Sequence, residues 1–156
     1  MSVERVKEDL KRFGLDGRVR ELPESSATVA LAALALKCGE GEIAKSLTFM
    51  VSGEPIMIVA AGDARIDNHK YKEEFGAKAK MLTPDEVREL IGHEVGGVCP
   101  FAVNDGVKVY LDKTLRKYEV VYPACGSSNS AVGMTIEELE RASGFLKWVD
   151  VCKDAG

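Results

Sequence analysis

The sequence predicts an α+β fold: a mixed, mostly antiparallel sheet that curls into an open barrel, with short helices around it. Three observations lead there. Short strand patterns interleave with short helical ones, several strands are joined by tight turns, and residues 56–61 form an unbroken apolar run, as in a central strand covered on both faces. At 156 residues the chain is expected to form a single domain, 1–156, large enough to bury its own core.

Taken in order, Val3, Val6, Leu10 and Phe13 recur at helical spacing among charges, and Gly14 follows as a stop, so 3–13 is a first amphipathic helix. Residues 19–22 suit a short strand before Pro23. Ser25 and Ser26 offer N-caps to a helix over 28–36 that is apolar on every side, hence buried or lining a cavity. Residues 43–51 and 56–61 are two strands joined by the Ser52-Gly53-Glu54-Pro55 turn, together a hairpin. Asp67 and Asn68 cap a short helix that ends at Phe75 before Gly76. Thr83, with Pro84 at the first turn and Asp85 and Glu86 behind it, starts a helix that runs to Ile91 and closes at Gly92. Strands follow at 107–111 and 118–122, separated by an Asp112-Lys113-Thr114 turn, and another at 131–134. Thr135 and Glu138 form a capping box that opens a helix over 136–142, and 145–151 is the last strand.

Composition narrows the function classes. Hydrophobic residues at 46% and charged residues at 29% describe an ordinary globular protein. No apolar run is long enough to cross a bilayer and the chain starts on a charged helix, so a cytoplasmic protein without a membrane partner is expected. Cys38, Cys99, Cys125 and Cys152 are dispersed with no C-x-x-C pair, which argues against a zinc site and a disulfide framework; neither metal nor cofactor is expected. A net charge of −4 confines any nucleic-acid contact to a local patch. The P-loop, zinc-protease and serine-hydrolase patterns do not occur.

The stretch with most chemical content is Gly96-Gly97-Val98-Cys99-Pro100-Phe101. Two glycines and a proline make a shaped loop whose amides can hold a carbonyl or a phosphate, although a plain turn has the same composition. Lys45 is its expected partner, because an ammonium among Ile43, Ala44, Leu47 and Phe49 is costly to bury unless an anion meets it; a lysine that snorkels from a strand end is the simpler alternative. Cys99 as a nucleophile needs a base, and the two histidines, His69 and His93, lie in no cysteine-hydrolase signature, so burial explains it better. Gly126-Ser127-Ser128-Asn129 is a second loop of small hydrogen-bonding residues, by default a turn. Lys70, Lys72, Lys78 and Lys80 are a solvated charged face or a phosphate track.

In this order the pieces resemble the YbaK/ProX family of aminoacyl-tRNA editing domains, related to the editing insert of bacterial prolyl-tRNA synthetase. Four stretches carry the likeness: Ile43 to Leu47 with Lys45 inside; residues 61–67 ahead of a basic helix and Gly76-Ala77-Lys78; residues 92–101 as the family's G-x-x-x-P loop; and Gly126 to Asn129 before the last capped helix. The resemblance implies an editing-domain fold and hydrolysis of the ester that joins a wrong amino acid to the 3′ terminal adenosine of a tRNA, with an aminoacyl-tRNA synthetase as a possible partner. It implies catalytic roles for Lys45 and for the loop of Gly96, Gly97, Val98, Cys99 and Pro100, which would hold the aminoacyl carbonyl through its backbone N–H groups. Leu31, His93, Phe101 and Gly126 to Asn129 would contact the substrate, and Lys45, Arg65, Lys70 and Lys72 the RNA. The family uses water or the substrate's own thiol as the attacking group. Cys99 stands where many members carry serine or threonine, and no acid occurs in 131–134 where the cysteine-specific branch has an aspartate, so alanyl, seryl and threonyl esters remain open beside cysteinyl. The competing expectations are a non-catalytic module that binds a tRNA end or an amino-acid-like ligand, and a thiol enzyme that uses Cys99.

Overall fold

The fold is that of a computed structural model, which describes residues 2–154. Its centre is a curled six-stranded half-barrel sheet. Strand β2 (Ile43–Val51) pairs antiparallel with β3 (Glu54–Ala61) through the two-residue turn Ser52-Gly53. Both turn residues have positive φ, 51° and 79°, the twist that closes a tight hairpin without splaying its strands. Strand β5 (Lys108–Asp112) lies parallel to β3, and β9 (Lys147–Val149) parallel to β5. On the other side β6 (Val120–Pro123) runs parallel to β2, and β8 (Met134–Thr135) antiparallel to β6. Two antiparallel ribbons flank the sheet: β1 (Val19–Glu21) with β7 (Ser130–Val132), and β4 (Ala64–Ile66) with β10 (Cys152–Asp154). The sheet is mixed as expected, and parallel pairings take the positions β3–β5–β9 and β2–β6.

The central strands bury side chains on both faces, as the unbroken apolar run of β3 requires. Met57 and Val59 join Leu111, Val121 and Leu139 in one cluster, into which helix α1 (Ser2–Lys11) inserts Val6 and Leu10. Ile58 and Ala60 join Phe49 and Tyr71 in a second, under helix α3 (Asn68–Phe75). Helix α2 (Val29–Leu36) buries only Ala32, Ala33 and Leu36, while Leu31 and Leu34 are exposed, so its all-round apolar composition does not correspond to all-round burial. Its cap is Thr28, whose hydroxyl accepts the Leu31 N–H, instead of Ser25 or Ser26, which turn towards the Ser128 carbonyl.

Several elements differ from the sequence expectation. The helix after Thr83 keeps α geometry only over α4 (Pro84–Glu86) and continues as a π-helix, Val87–Ile91. Asn104 explains the widening: its side chain donates to the Glu89 and Leu90 carbonyls and its N–H to that of Ile91, while Gly92 closes on Val87. The strand expected over 131–134 is two, split at Gly133, where a Cβ would sit 2.8 Å from the Tyr122 ring. The strand expected over 145–151 is shorter, 147–149, and Val151 donates its N–H to Asp112 just before a further strand begins at Cys152. The 118–122 strand starts later, at Val120, because Lys113–Lys117 winds into a 3-10 helix. Helix α5 (Ile136–Ser143) opens on the expected Thr135–Glu138 capping box.

Asp112 is fully buried and accepts hydrogen bonds from the Thr114 N–H and hydroxyl, from the Val151 N–H and from the Cys152 thiol. It thereby ties the end of β5 to the chain entering β10. Asp112→Ala leaves these donors without an acceptor and is expected to cost about 3 kcal/mol in urea denaturation, since buried bonds to a charged group are worth roughly 1.5–3 kcal/mol each.

Candidate functional site

A hollow of about 280 Å³ opens at the end of the hairpin where β2 begins. Its floor is Ile43 to Ser46 and Thr48 of β2. One wall is Ala27, Thr28, Val29 and Ala32 at the start of α2; another is Tyr122, Ala124, Ser130 and Ala131. Val95, Gly96 and Val98 close the third side, with Leu82, Pro84 and Val87 beyond them. Lys45 and Gly96, 51 positions apart in sequence, therefore border one cavity.

The glycine loop is anchored by backbone contacts. Gly97 donates its N–H to the Glu94 carbonyl at 3.0 Å, and its own carbonyl accepts the Gly126 N–H at 2.9 Å. A Cβ on Gly97 would fall 2.5 Å from the Gly126 carbonyl carbon, so the two loops touch main chain to main chain. Gly96 has φ of 97°, a conformation that other residues rarely adopt. Among the described residues the N–H groups of Gly96 and Val98 have no hydrogen-bond acceptor, and both residues line the hollow. The Ser46 hydroxyl, on the floor, is buried and likewise without a partner among the described residues.

Lys45 alternates with Ser46 along β2 and shares a face with Ile43, which packs near α2. Its ammonium donates to the Gly62 carbonyl at 3.3 Å and to that of Ala64. Desolvation pushes its pKa down, the partial charges of Cys152 and Asp63 oppose this, and Arg65 adds to it. The half-buried ammonium is thus met by two carbonyl oxygens, in the place where the sequence reading looked for an anion.

Behind the loop the structure corrects the assignment of Cys99, Pro100, Phe101 and His93 to the site surface. All four are buried, and none lines the hollow. The Cys99 thiol lies 3.6 Å from His93 Nε2 and 3.7 Å from the Phe101 carbonyl, and burial pushes its pKa up to about 12. A thiol so placed is protonated and shielded from a substrate, which removes the nucleophile reading. These residues are backing for the loop. Leu31 points to solvent from α2, outside the lining. Gly126, Ser127 and Ser128 border a second, acidic depression with Glu4, Glu21 and Glu94 instead. Their polar atoms are spent locally: Ser127 donates to Ser130 Oγ at 2.8 Å, and Asn129 to the Leu22 carbonyl at 3.0 Å. Arg65 lies on β4 and Lys70 and Lys72 on α3; Lys70 is engaged by Asp150 and the Cys152 carbonyl. No group of three His, Cys, Asp or Glu among the described residues is arranged to hold a metal ion, and no helix there is long and apolar enough to cross a membrane.

The sequence reading missed Ser46 and Thr48, although strand alternation places them beside Ala44, and it missed Tyr122 and Ala131. A family model for the aminoacyl-tRNA editing domain matches residues 23–142. The chain belongs to that family. Among its relatives, the uncharacterized protein YwhH of Bacillus subtilis (strain 168) is 48% identical over 155 residues, covering 99% of both chains. The proline–tRNA ligase of Halalkalibacterium halodurans is 34% identical over 114 residues, which cover 71% of this editing-domain chain and 20% of the ligase. The chain thus spans about a fifth of the ligases it matches. A solved structure, described as that of a candidate trans-editing enzyme for prolyl tRNA synthetase, superposes with a TM-score of 0.87 at 33% identity over 97% of each chain.

His93 is buried, with Nε2 2.7 Å from the Phe101 carbonyl and Nδ1 without a partner among the described residues. Burial, and Arg5 to a lesser degree, push its pKa below the ordinary value despite the Phe101 bond. The folded state therefore binds this proton less readily than the unfolded one. His93 supports the fold fully above the unfolded value of about 6.5 and loses that contribution as pH falls below it. The urea midpoint is expected to drop between about pH 7 and pH 5, and His93→Gln to flatten that slope.

Proposed function

We propose that this protein is an aminoacyl-tRNA deacylase that hydrolyses the ester of a small, uncharged amino acid on the 3′ end of a tRNA, with mischarged tRNA for proline as the substrate class. One observation carries the reading: Gly96 and Val98, whose N–H groups have no acceptor among the described residues, line a hollow that is otherwise largely apolar and that Lys45 also borders. The ligase relatives act on proline tRNA by name, which supports the choice of tRNA.

In this reading the aminoacyl carbonyl oxygen accepts from the Gly96 and Val98 N–H groups. Those amides cost no reorganisation when negative charge develops on that oxygen, because the Gly97–Gly126 bond fixes the loop beforehand. A water molecule admitted to the hollow attacks the carbonyl carbon. The carbon–oxygen bond to the ribose then breaks, the ribose oxygen takes up one of the water's protons while the other passes to solvent, and the free amino acid leaves as its carboxylate. Lys45, fixed at the rim, faces the terminal nucleotide and its phosphate. The alanines at 27, 32, 44, 124 and 131 shape a lining without a carboxylate or a second cation, suited to alanyl, seryl or threonyl groups.

Purified protein incubated with a panel of singly mischarged tRNAs is expected to release the amino acid from one or more of them. Lys45→Ala is expected to lower kcat/KM by about a hundredfold, the scale for removing a preorganised electrostatic contact, with the circular dichroism spectrum unchanged. Binding of tRNA with no turnover of any ester overturns the deacylase in favour of a non-catalytic tRNA-end module. Cys99→Ser is expected to keep activity within a fewfold of wild type; abolition of turnover in a folded Cys99→Ser variant contradicts the assignment of Cys99 as backing.

A further inference from the structure

Strands β4 and β10 place Arg65 directly opposite Lys153. Two like charges facing each other across an antiparallel pair are destabilising, so a ribbon without another role gains from exchanging one of them for an acid. Both side chains are exposed. Among the described residues neither forms an ion pair, whereas other cations in neighbouring elements do: Lys70 and Lys113 with Asp150, Lys147 with Glu74, and Lys108 with Glu54. The nearby Asp67 carboxylate is occupied in capping α3, where it accepts the N–H groups of His69 and Lys70. Lys153 feels the Asp67 charge, which it helps to hold below the usual carboxylate range, but in a protein of net charge −4 two cations facing each other outside any direct ion pair are a local exception.

Position gives the pair a direction. Arg65 follows Ala64, whose carbonyl holds the Lys45 ammonium, and Lys45 borders the hollow. Gly62, the other carbonyl that holds Lys45, abuts Val29 in the hollow's wall: a Cβ on Gly62 would lie 2.8 Å from Val29 Cγ1. The ribbon is thus one lysine length from the place proposed for the terminal nucleoside. We propose that Arg65 and Lys153 form a subsite for one phosphodiester of the RNA strand that enters the hollow, gripping its backbone without reading sequence. This rests on the deacylase reading above and extends it from the esterified end to the strand behind it. A guanidinium fork with a flexible ammonium opposite suits a phosphate, which accepts bidentately from Arg and as a point charge from Lys. Contacts of this kind set position and affinity.

The test is the double variant Arg65→Gln/Lys153→Gln. Binding of uncharged tRNA, followed by fluorescence anisotropy across a salt series, is expected to weaken roughly tenfold at low salt, the scale of lost charge-assisted bonds. The slope of log affinity against log salt should flatten by about 0.7, the value for one phosphate on a single strand. In the deacylation assay kcat/KM should fall on aminoacyl-tRNA and stay unchanged on an aminoacyl-adenosine, which has no phosphate. Thermal stability should equal or exceed that of wild type, because the cross-strand repulsion is gone. A matched loss of two charges at ion-paired positions, Lys108→Gln/Lys147→Gln, should leave the salt slope unaltered. An unchanged slope in Arg65→Gln/Lys153→Gln, an equal flattening in the paired-lysine control, or a fall in melting temperature overturns the subsite. The binding arm gives its answer even if no ester is hydrolysed, so failure of the subsite and failure of the deacylase remain distinguishable.

Discussion

The bond from Gly126 N–H to Gly97 O, 2.9 Å long, is the constraint on which the site depends. It joins two loops from distant parts of the chain with no side chain between them, and only glycine at 97 leaves the room. The same frame continues outward: Ser26 N–H donates to the Ser128 carbonyl and Leu22 N–H to that of Asn129, each at 2.6 Å. The segment before α2, the glycine loop and the loop before β7 are therefore held as one unit, and the hollow is the space they leave above β2.

This frame separates two kinds of residue. Behind the loop, Cys99, Phe101 and His93 fill the core and fix the loop's shape through burial and the short His93 contact to the Phe101 carbonyl. In front, Gly96, Val98 and a few small side chains border the cavity. Gly96 and Gly97 are constrained by backbone angle and by contact distance respectively. Lys45 belongs to neither group. Its ammonium donates to the carbonyls of Gly62, in the β3–β4 turn, and Ala64, at the start of β4, and so ties that turn to β2.

Elements with strong local signals were legible in the sequence. The β2–β3 hairpin announced itself by its turn and by the apolar run of β3, and α5 by its capping box. Elements defined by long-range contacts were not. Strands β4 and β10 are three residues each and carry Arg65 and Lys153 on exposed positions, so neither alternation nor apolar content marks them. The break at Gly133 depends on the Tyr122 ring from another strand, and the π-helical turn on Asn104 thirteen residues beyond Ile91. For the site, motif reading found Lys45 and Gly96, which both border the hollow, and within the loop set only Cys99 apart as a residue better explained by burial. Which of its residues face the cavity is decided by tertiary burial, which turns Cys99 and Phe101 inward and leaves Gly96 and Val98 outward. Period-two alternation along β2 was the available signal for Ser46 and Thr48.

On the proposed deacylase reading, an esterified 3′ terminus sits between the glycine loop and the start of β2. Amide chemical shifts in a titration with a non-hydrolysable alanyl-adenosine analogue give the decisive test. The largest changes are expected on Gly96 and Val98, with downfield displacement of their protons as they acquire an acceptor, and on Ser46. Changes centred instead on the acidic depression beside Glu21 and Ser128, with Gly96 and Val98 unmoved at saturation, contradict it.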